Sequence, residues 1–190
     1  MERQQNHETQ TEAKPFVYMM VKPLGLEPEV HDEIVGLISE RGVVVHTERF
    51  IVEREKIQTH YDAIKLLNDG SPAPHFTPIT EYLIGQEVEG MIVEDWMRGN
   101  PDAFVADMRG ILGKSNPLDT HPGQIRNLAL SHVLPYMRVM PKINTYDNSY
   151  CRDNLAHCSD SLEAAITEIS IWLPHKAEVY KQNYEKLRQA

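Results

Sequence analysis

The chain first declares itself in a run of apolar and aromatic residues, Phe16 to Val21, that follows Pro15 and stops at Lys22-Pro23. A run so short and continuous predicts a buried strand. From Glu29 the period changes. Val30, Ile34, Leu37 and Ile38 recur at helical spacing, and the segment closes at Arg41-Gly42, where a glycine cap is expected. Val43 to Val52 is rich in β-branched residues and predicts a second strand; Glu53 to Leu67, with Ile57, Ala63, Ile64 and Leu67 apolar, predicts a second helix. Asn68 to Pro78 is loop by its turn formers and a candidate binding edge, and Ile79, Tyr82 and Leu83 predict a short helix ending near Gly85. Val88 to Val93 is the next strand, followed by a helix over Asp102 to Leu112 with Phe104, Met108 and Leu112 on one face.

Beyond this point the punctuation thickens. Gly113 to Arg126 is crowded with Gly, Pro, Asn, Ser and Thr, and a loop of that length in a compact domain more often carries function than not. Asn127 to Asp153 shows no sustained period. Asp160 with Glu163 predicts an aspartate version of a capping box, so that a helix striped by Leu162, Ala165, Ile166 and Ile169 begins immediately after His157. Pro174 opens a last, mainly charged amphipathic segment.

At 190 residues, with 41% hydrophobic and 25% charged, the chain fits one globular domain with decorations: a polar tail over residues 1–14 and a folded domain over 15–190. A net charge of −9 argues against a nucleic-acid partner or a polybasic membrane anchor. It is compatible with a small anionic ligand held by a few local cations. The first fourteen residues resemble neither a signal peptide nor a transit peptide, and no apolar stretch is long enough to span a bilayer, so a cytoplasmic location is expected. Cys151 and Cys158 offer no disulfide framework.

The candidate chemistry centres on Asn154-Leu155-Ala156-His157-Cys158-Ser159-Asp160-Ser161. A histidine just before a helix N-terminus would meet partial positive charge, which favours an anion beside the ring and a neutral, nucleophilic imidazole. Glu168 on the same helix is placed to accept a hydrogen bond from one ring nitrogen and leave the other as the nucleophile. On position alone, His157 reads first as a residue that caps or packs against the helix. A zinc site from Cys151, His157 and Cys158 does not have a recognised ligand spacing.

Several separated segments, in order, resemble the nucleoside diphosphate kinase family. Asn154, His157, Ser159 and Asp160 match its Asn-x-x-His-small-Ser-Asp signature, and Glu163 with Glu168-Ile169-Ser170-Ile171-Trp172 resembles the helix that follows. Val21-Lys22-Pro23-Leu24-Gly25 resembles its Lys-Pro-Asp-Gly turn, and His60-Tyr61 its active-site tyrosine segment. Leu112-Gly113-Lys114-Ser115-Asn116-Pro117 and Pro122-Gly123-Gln124-Ile125-Arg126 supply two further landmarks, so that the resemblance runs from about Phe16 to Pro174.

The resemblance implies an α+β, ferredoxin-like fold: a four-stranded antiparallel sheet with surrounding helices. It implies γ-phosphoryl transfer from a nucleoside triphosphate such as ATP to a nucleoside diphosphate, by a ping-pong mechanism through phospho-His157. By the same carry-over Lys22 meets the transferred phosphoryl, Arg109 and Arg126 the phosphates, Ser115 makes a hydroxyl contact, and Asn154 holds the sugar. Tyr61 supports the histidine and phosphate, Ser159 and Glu168 fix the ring, and His75 stacks on the base. Magnesium is implied on the nucleotide phosphates with no dedicated protein metal site, and a homo-oligomer, tetramer or hexamer built from dimers, is expected.

Four features depart from the family pattern: Leu24 replaces Asp, Cys158 replaces Gly or Ala, His75 replaces a phenyl ring, and residues 127–153 read as an insertion. They suggest an alternative, a nucleotide-binding or scaffold member with weak or no kinase activity. Thiol chemistry at Cys158 ranks below a packing role.

Overall fold

A computed structural model describes residues 13–62, 76–97, 99–132 and 154–189, with the side chains of residues 76–78 excepted. Four strands form one antiparallel sheet in the order β2-β3-β1-β4, with β1 over Phe16–Val21, β2 over Val43–Ile51, β3 over Glu87–Glu94 and β4 over Ala156–Cys158. Every residue of β1 is buried, so both faces of this inner strand are covered. That is why its sequence runs apolar without alternation.

Seven α-helices surround the sheet among the described residues: α1 Pro28–Ser39, α2 Arg54–Asp62, α3 Phe76–Leu83, α4 Pro101–Leu112, α5 Leu128–His132, α6 Leu162–Trp172 and α7 Pro174–Gln189. In α1 the buried positions are Val30, Ile34 and Ile38, the stripe expected from a four-residue repeat. Helix α4 turns Phe104, Val105, Met108, Ile111 and Leu112 into the core, and α6 adds Leu162, Ala165, Ile169 and Trp172. Burying such side chains contributes about 1.5–3 kcal/mol each before the entropy of ordering is charged against it.

Local signals account for most boundaries. Asn100 Oδ1 accepts hydrogen bonds from the N–H groups of Asp102 and Ala103 at the start of α4, with Pro101 at its first position. Gly85 follows α3 at φ +77° and donates its N–H to Val52 O at 2.9 Å, tying that turn to the end of β2. Gly42 works differently from the expected cap, because α1 has already ended. A Cβ there would lie 2.7 Å from Val93 Cγ1 and 2.9 Å from Glu94 O, so this glycine lets the chain pass close to β3.

Two expectations around the histidine segment are corrected. His157 lies in the middle of β4, opposite Met20 of β1, instead of immediately before a helix. The capping residue is Ser161, whose Oγ accepts from Ala164 N at 3.1 Å, while Asp160 is turned away to pair with Arg109. A three-residue strand is too short to leave a period, and Asp and Ser are both favoured N-cap residues, although only Asp160 has a glutamate three positions on. Leu128–His132, at the head of the expected insertion, is helical and is anchored where His132 Nε2 meets Glu33 Oε1 of α1 at 3.1 Å. His75, Cys151 and the remainder of the span to 153 lie outside the described residues.

Candidate active site

The end of β1 and the start of β4 meet at one corner of the sheet. Lys22 follows directly from β1 and donates its backbone N–H to Leu155 O at 2.8 Å. Its ammonium, 3% exposed, donates to Asn154 Oδ1 at 2.8 Å, and Asn154 Nδ2 donates in turn to the carbonyl of Ser115 at 2.8 Å. In this contact Ser115 uses its main chain. Leu155 holds a left-handed backbone at φ +69°, a conformation that costs a branched side chain about 1–2 kcal/mol. The kink delivers Asn154 to Lys22 on one side and feeds His157 into β4 on the other. Gly25 keeps the corner tight, since a Cβ there would meet Leu155 O and Val21 Cγ1, each at 2.7 Å.

The histidine is held by a buried carboxylate. His157 Nε2 lies 2.9 Å from Glu168 Oε1, and Ser159 Oγ donates to Glu168 Oε2 at 2.6 Å. Ser159 is itself fixed against β1, where its Oγ accepts from Tyr18 N at 3.1 Å and its N–H donates to Tyr18 O at 3.0 Å. Burial opposes the charge on Glu168, but the adjacent His157, its hydrogen bond, His60 and the Ser159 hydroxyl outweigh it and hold the carboxyl below its ordinary pKa. An ionised Glu168 can only accept, so Nε2 carries the ring proton and the lone pair of the neutral imidazole falls on Nδ1.

Around this pair stand residues the motifs marked unevenly. Tyr61 is buried, and burial raises its phenol pKa, so it stays protonated. Its neighbour His60 received no role from the sequence, yet its ring packs edge-on against His157 with centroids 4.9 Å apart. Trp172 Nε1–H donates to His60 Nδ1 at 3.2 Å, so the His60 proton sits on Nε2, a buried atom without a hydrogen-bond partner. Burial first, then repulsion from His157 and Lys22, lowers the pKa of His60 to about 3 against the pull of Glu168. Its adjacency to Tyr61 on a helix was the available signal, but only the fold brings it against His157. His60, His157 and Glu168 also bring one potential metal-ligating atom each within 4.8 Å of the others.

Two arginines frame the same strand. Arg126, 7% exposed, donates to Ala156 O through Nε and Nη2 and to Gly113 O through Nη1. Arg109, near the end of α4, donates from Nη1 to Cys158 O at 3.0 Å and pairs with Asp160. Lys22, Arg109 and Arg126 thus all act on the chain that carries His157. The Cys158 thiol is fully buried, and burial pushes its pKa up to about 12, which removes the thiolate on which nucleophilic or redox chemistry depends.

Such a corner, with an oriented imidazole and three cations, is suited to a nucleophile attacking an anionic phosphorus centre. A family model described as nucleoside diphosphate kinase matches residues 17–178. A nucleoside diphosphate kinase of Staphylococcus carnosus is 27% identical over 172 residues, which cover 89% of this chain and 94% of that protein. One from Crocosphaera subtropica is 29% identical over 160 residues, covering 84% and 87%. Among solved structures, an apo nucleoside diphosphate kinase of Encephalitozoon cuniculi superposes with a TM-score of 0.62 at 20% identity over 86% of this chain and 91% of its own. A Borrelia burgdorferi nucleoside-diphosphate kinase, described as a transition state mimic with bound vanadate and ADP, gives 0.62 at 20% identity over 84% and 87%. At these identities the structural likeness speaks for the fold.

Proposed function

This chain belongs to the nucleoside diphosphate kinase family of phosphotransferases, and from that membership we propose that it moves the γ-phosphoryl group of a nucleoside triphosphate to a nucleoside diphosphate through His157. The observation that carries the mechanism is the bond from His157 Nε2 to buried Glu168. In the first half-reaction the Nδ1 lone pair attacks the γ-phosphorus, the bond from that phosphorus to the β,γ-bridging oxygen breaks, and the diphosphate leaves with the electron pair. In the second, a terminal oxygen of another diphosphate attacks the phosphorus and the N–P bond breaks. The Nε2 proton stays on the ring throughout. Glu168 stabilises the positive imidazolium character that phosphorylation creates, and Ser159 keeps the carboxylate in place. One site visited in turn by donor and acceptor gives ping-pong kinetics.

Positive charge does the rest, because phosphoryl transfer depends on positioning and electrostatics. Lys22 is assigned to the transferred group, Arg109 and Arg126 to the phosphates, Asn154 to the sugar hydroxyl, and Tyr61 to support of the ring and phosphate. Ser115 is assigned a hydroxyl contact and His75 the stacking face for the base. Of the carboxylates on this corner, Glu168 is committed to His157 and Ser159, and Asp160 to Arg109. That donor set suits magnesium carried on the nucleotide phosphates, where it would neutralise part of their charge without a dedicated protein ligand.

A homo-oligomer built from dimers, tetramer or hexamer, belongs to the same proposal. Among the described residues β2 pairs on one side only, and it exposes Val43, Val45 and Ile51, an apolar edge suited to a second copy. A cytoplasmic setting without nucleic-acid or membrane partners completes it; no helix among the described residues is long and apolar enough to cross a membrane.

The deciding experiment incubates the protein with γ-labelled ATP, isolates the protein, and chases it with GDP. An acid-labile label that His157→Ala lacks and that GDP discharges as GTP is the expected result. Measurable ATP binding without any label would overturn the kinase mechanism in favour of a nucleotide-binding family member.

A further inference from the structure

On the opposite end of the molecule's sheet order from His157, at edge strand β2, a second histidine cluster plays no part in phosphoryl transfer. His46 and Glu48 are two residues apart on β2 and therefore on one face of it, and His175 sits in the first turn of α7. His46 Nε2 lies 3.7 Å from Glu48 Oε2, and His175 Nε2 lies 3.6 Å from the same oxygen. One potential ligand atom from each residue falls within 4.8 Å of the other two.

Those separations are too long for hydrogen bonds and close to what a shared metal ion requires. Tetrahedral coordination with bonds of about 2.0–2.1 Å sets its ligand atoms roughly 3.3 Å apart. A contraction of a few tenths of an ångström between Glu48 and each imidazole reaches that value. A second observation points the same way: His46 Nε2 is buried and has no hydrogen-bond partner, an atom left without the contact its desolvation calls for.

The scaffold behind these side chains is packed. Phe50, two residues beyond Glu48 on the same face, stacks on Trp172 at the end of α6 with centroids 5.1 Å apart and planes 14° from parallel. Pro174 then starts α7, so the corner between the two helices is seated on β2 by an aromatic stack before His175 reaches out. The His46 and His175 rings meet edge to face at 5.4 Å. Lys176 opposes a cation here, and the Glu48 carboxylate offsets it.

We propose that His46, Glu48 and His175 form a binding site for a divalent transition metal of the zinc class, with a position left for water, joining the first turn of α7 to edge strand β2. Two imidazoles and one carboxylate are a borderline nitrogen and oxygen donor set, which favours zinc over magnesium. The site tethers the C-terminal helix and lies outside the phosphotransfer machinery.

Titration of the metal-free full-length chain with Zn2+ by calorimetry, alongside thermal unfolding with and without Zn2+, tests it. The wild type is expected to bind one equivalent and to melt at higher temperature with the metal. His175→Ala and Glu48→Gln, both at exposed positions, are each expected to weaken binding by at least about tenfold and to lose the thermal shift, with phosphotransfer unchanged. His157→Ala is expected to keep the equivalent. Absence of a bound equivalent in the wild type overturns the proposal. So does an equivalent that survives both His175→Ala and Glu48→Gln, or one that only His157→Ala removes, which would assign the metal to the cluster of His60, His157 and Glu168.

Discussion

A single hydrogen bond decides which nitrogen of His157 would act in the proposed transfer. Glu168 is charged and buried, accepts from Nε2 at 2.9 Å, and so leaves Nδ1 with the lone pair. Replacing it by glutamine keeps the shape but removes the negative charge that stabilises the imidazolium character of a phosphorylated ring, and its amide can present either an acceptor or a donor to Nε2, so the tautomer is no longer fixed. Glu168→Gln is therefore expected to slow phosphorylation of His157 by roughly 10²-fold or more while ATP binding persists. Single-turnover labelling beside a binding titration checks it, and unaltered labelling would remove the orienting role. His60 governs a different property. Its pKa falls from 6.5 unfolded to about 3 folded, so the folded state binds fewer protons than the unfolded state between those values. The stability this neutral residue supports is complete above pH 6.5 and is lost as pH falls towards 3, by about 1.4 kcal/mol per pH unit in the middle of that window. Glu168, with its depressed pKa, adds loss of the same sign at the acidic end. Urea unfolding from pH 7 to pH 4 should show a shallower decline in His60→Gln than in the wild type; equal slopes would mean that His60 does not titrate with unfolding.

At the scale of elements, the order strand, helix, strand, helix, short helix, strand and helix through Leu112 was legible because each piece is long enough to show its period. Phe16–Val21 and Pro28–Ser39 lie where apolar spacing placed them. The short β4 was not legible: its three residues acquire strand geometry only by pairing with Met19, Met20 and Val21 of β1. That same pairing displaces the helix start from the neighbourhood of His157 to Leu162 and makes Ser161 the cap. Ser161→Ala should accordingly cost about 0.5–2 kcal/mol through the lost cap to Ala164 N. Asp160→Ala should cost less than this, since Asp160 serves an exposed pair with Arg109. Chemical denaturation of the two variants separates the assignments, and the reverse ranking would restore Asp160 as the cap.

Across the whole molecule, β1 and β3 are inner strands, and the two edges differ in use. β4 carries the histidine, while β2 exposes the apolar side chains Val43, Val45 and Ile51 along its length and also carries the His46 and Glu48 pair. If Val43, Val45 and Ile51 meet a second copy, Val45→Lys with Ile51→Lys should shift sedimentation of the chain towards the monomer, because charge on an edge opposes edge-to-edge pairing. An unchanged assembly would place the contact on another face. Exposed ion pairs such as Arg54 with Glu81 add little to global stability beside the packed core.

The sequence by itself determined the amphipathic helices, the fully buried first strand and the resemblance that singled out Lys22, Arg109, Arg126, Asn154, His157, Ser159 and Glu168. These are properties of spacing and residue type, which survive in one dimension. Only the tertiary structure decided that Ser115 meets Asn154 through its carbonyl, that His60 and Trp172 back the histidine, and that His175 faces His46 across 129 positions of chain. Contacts of that kind depend on sheet register and on how the helices are laid against it, and no local period encodes either.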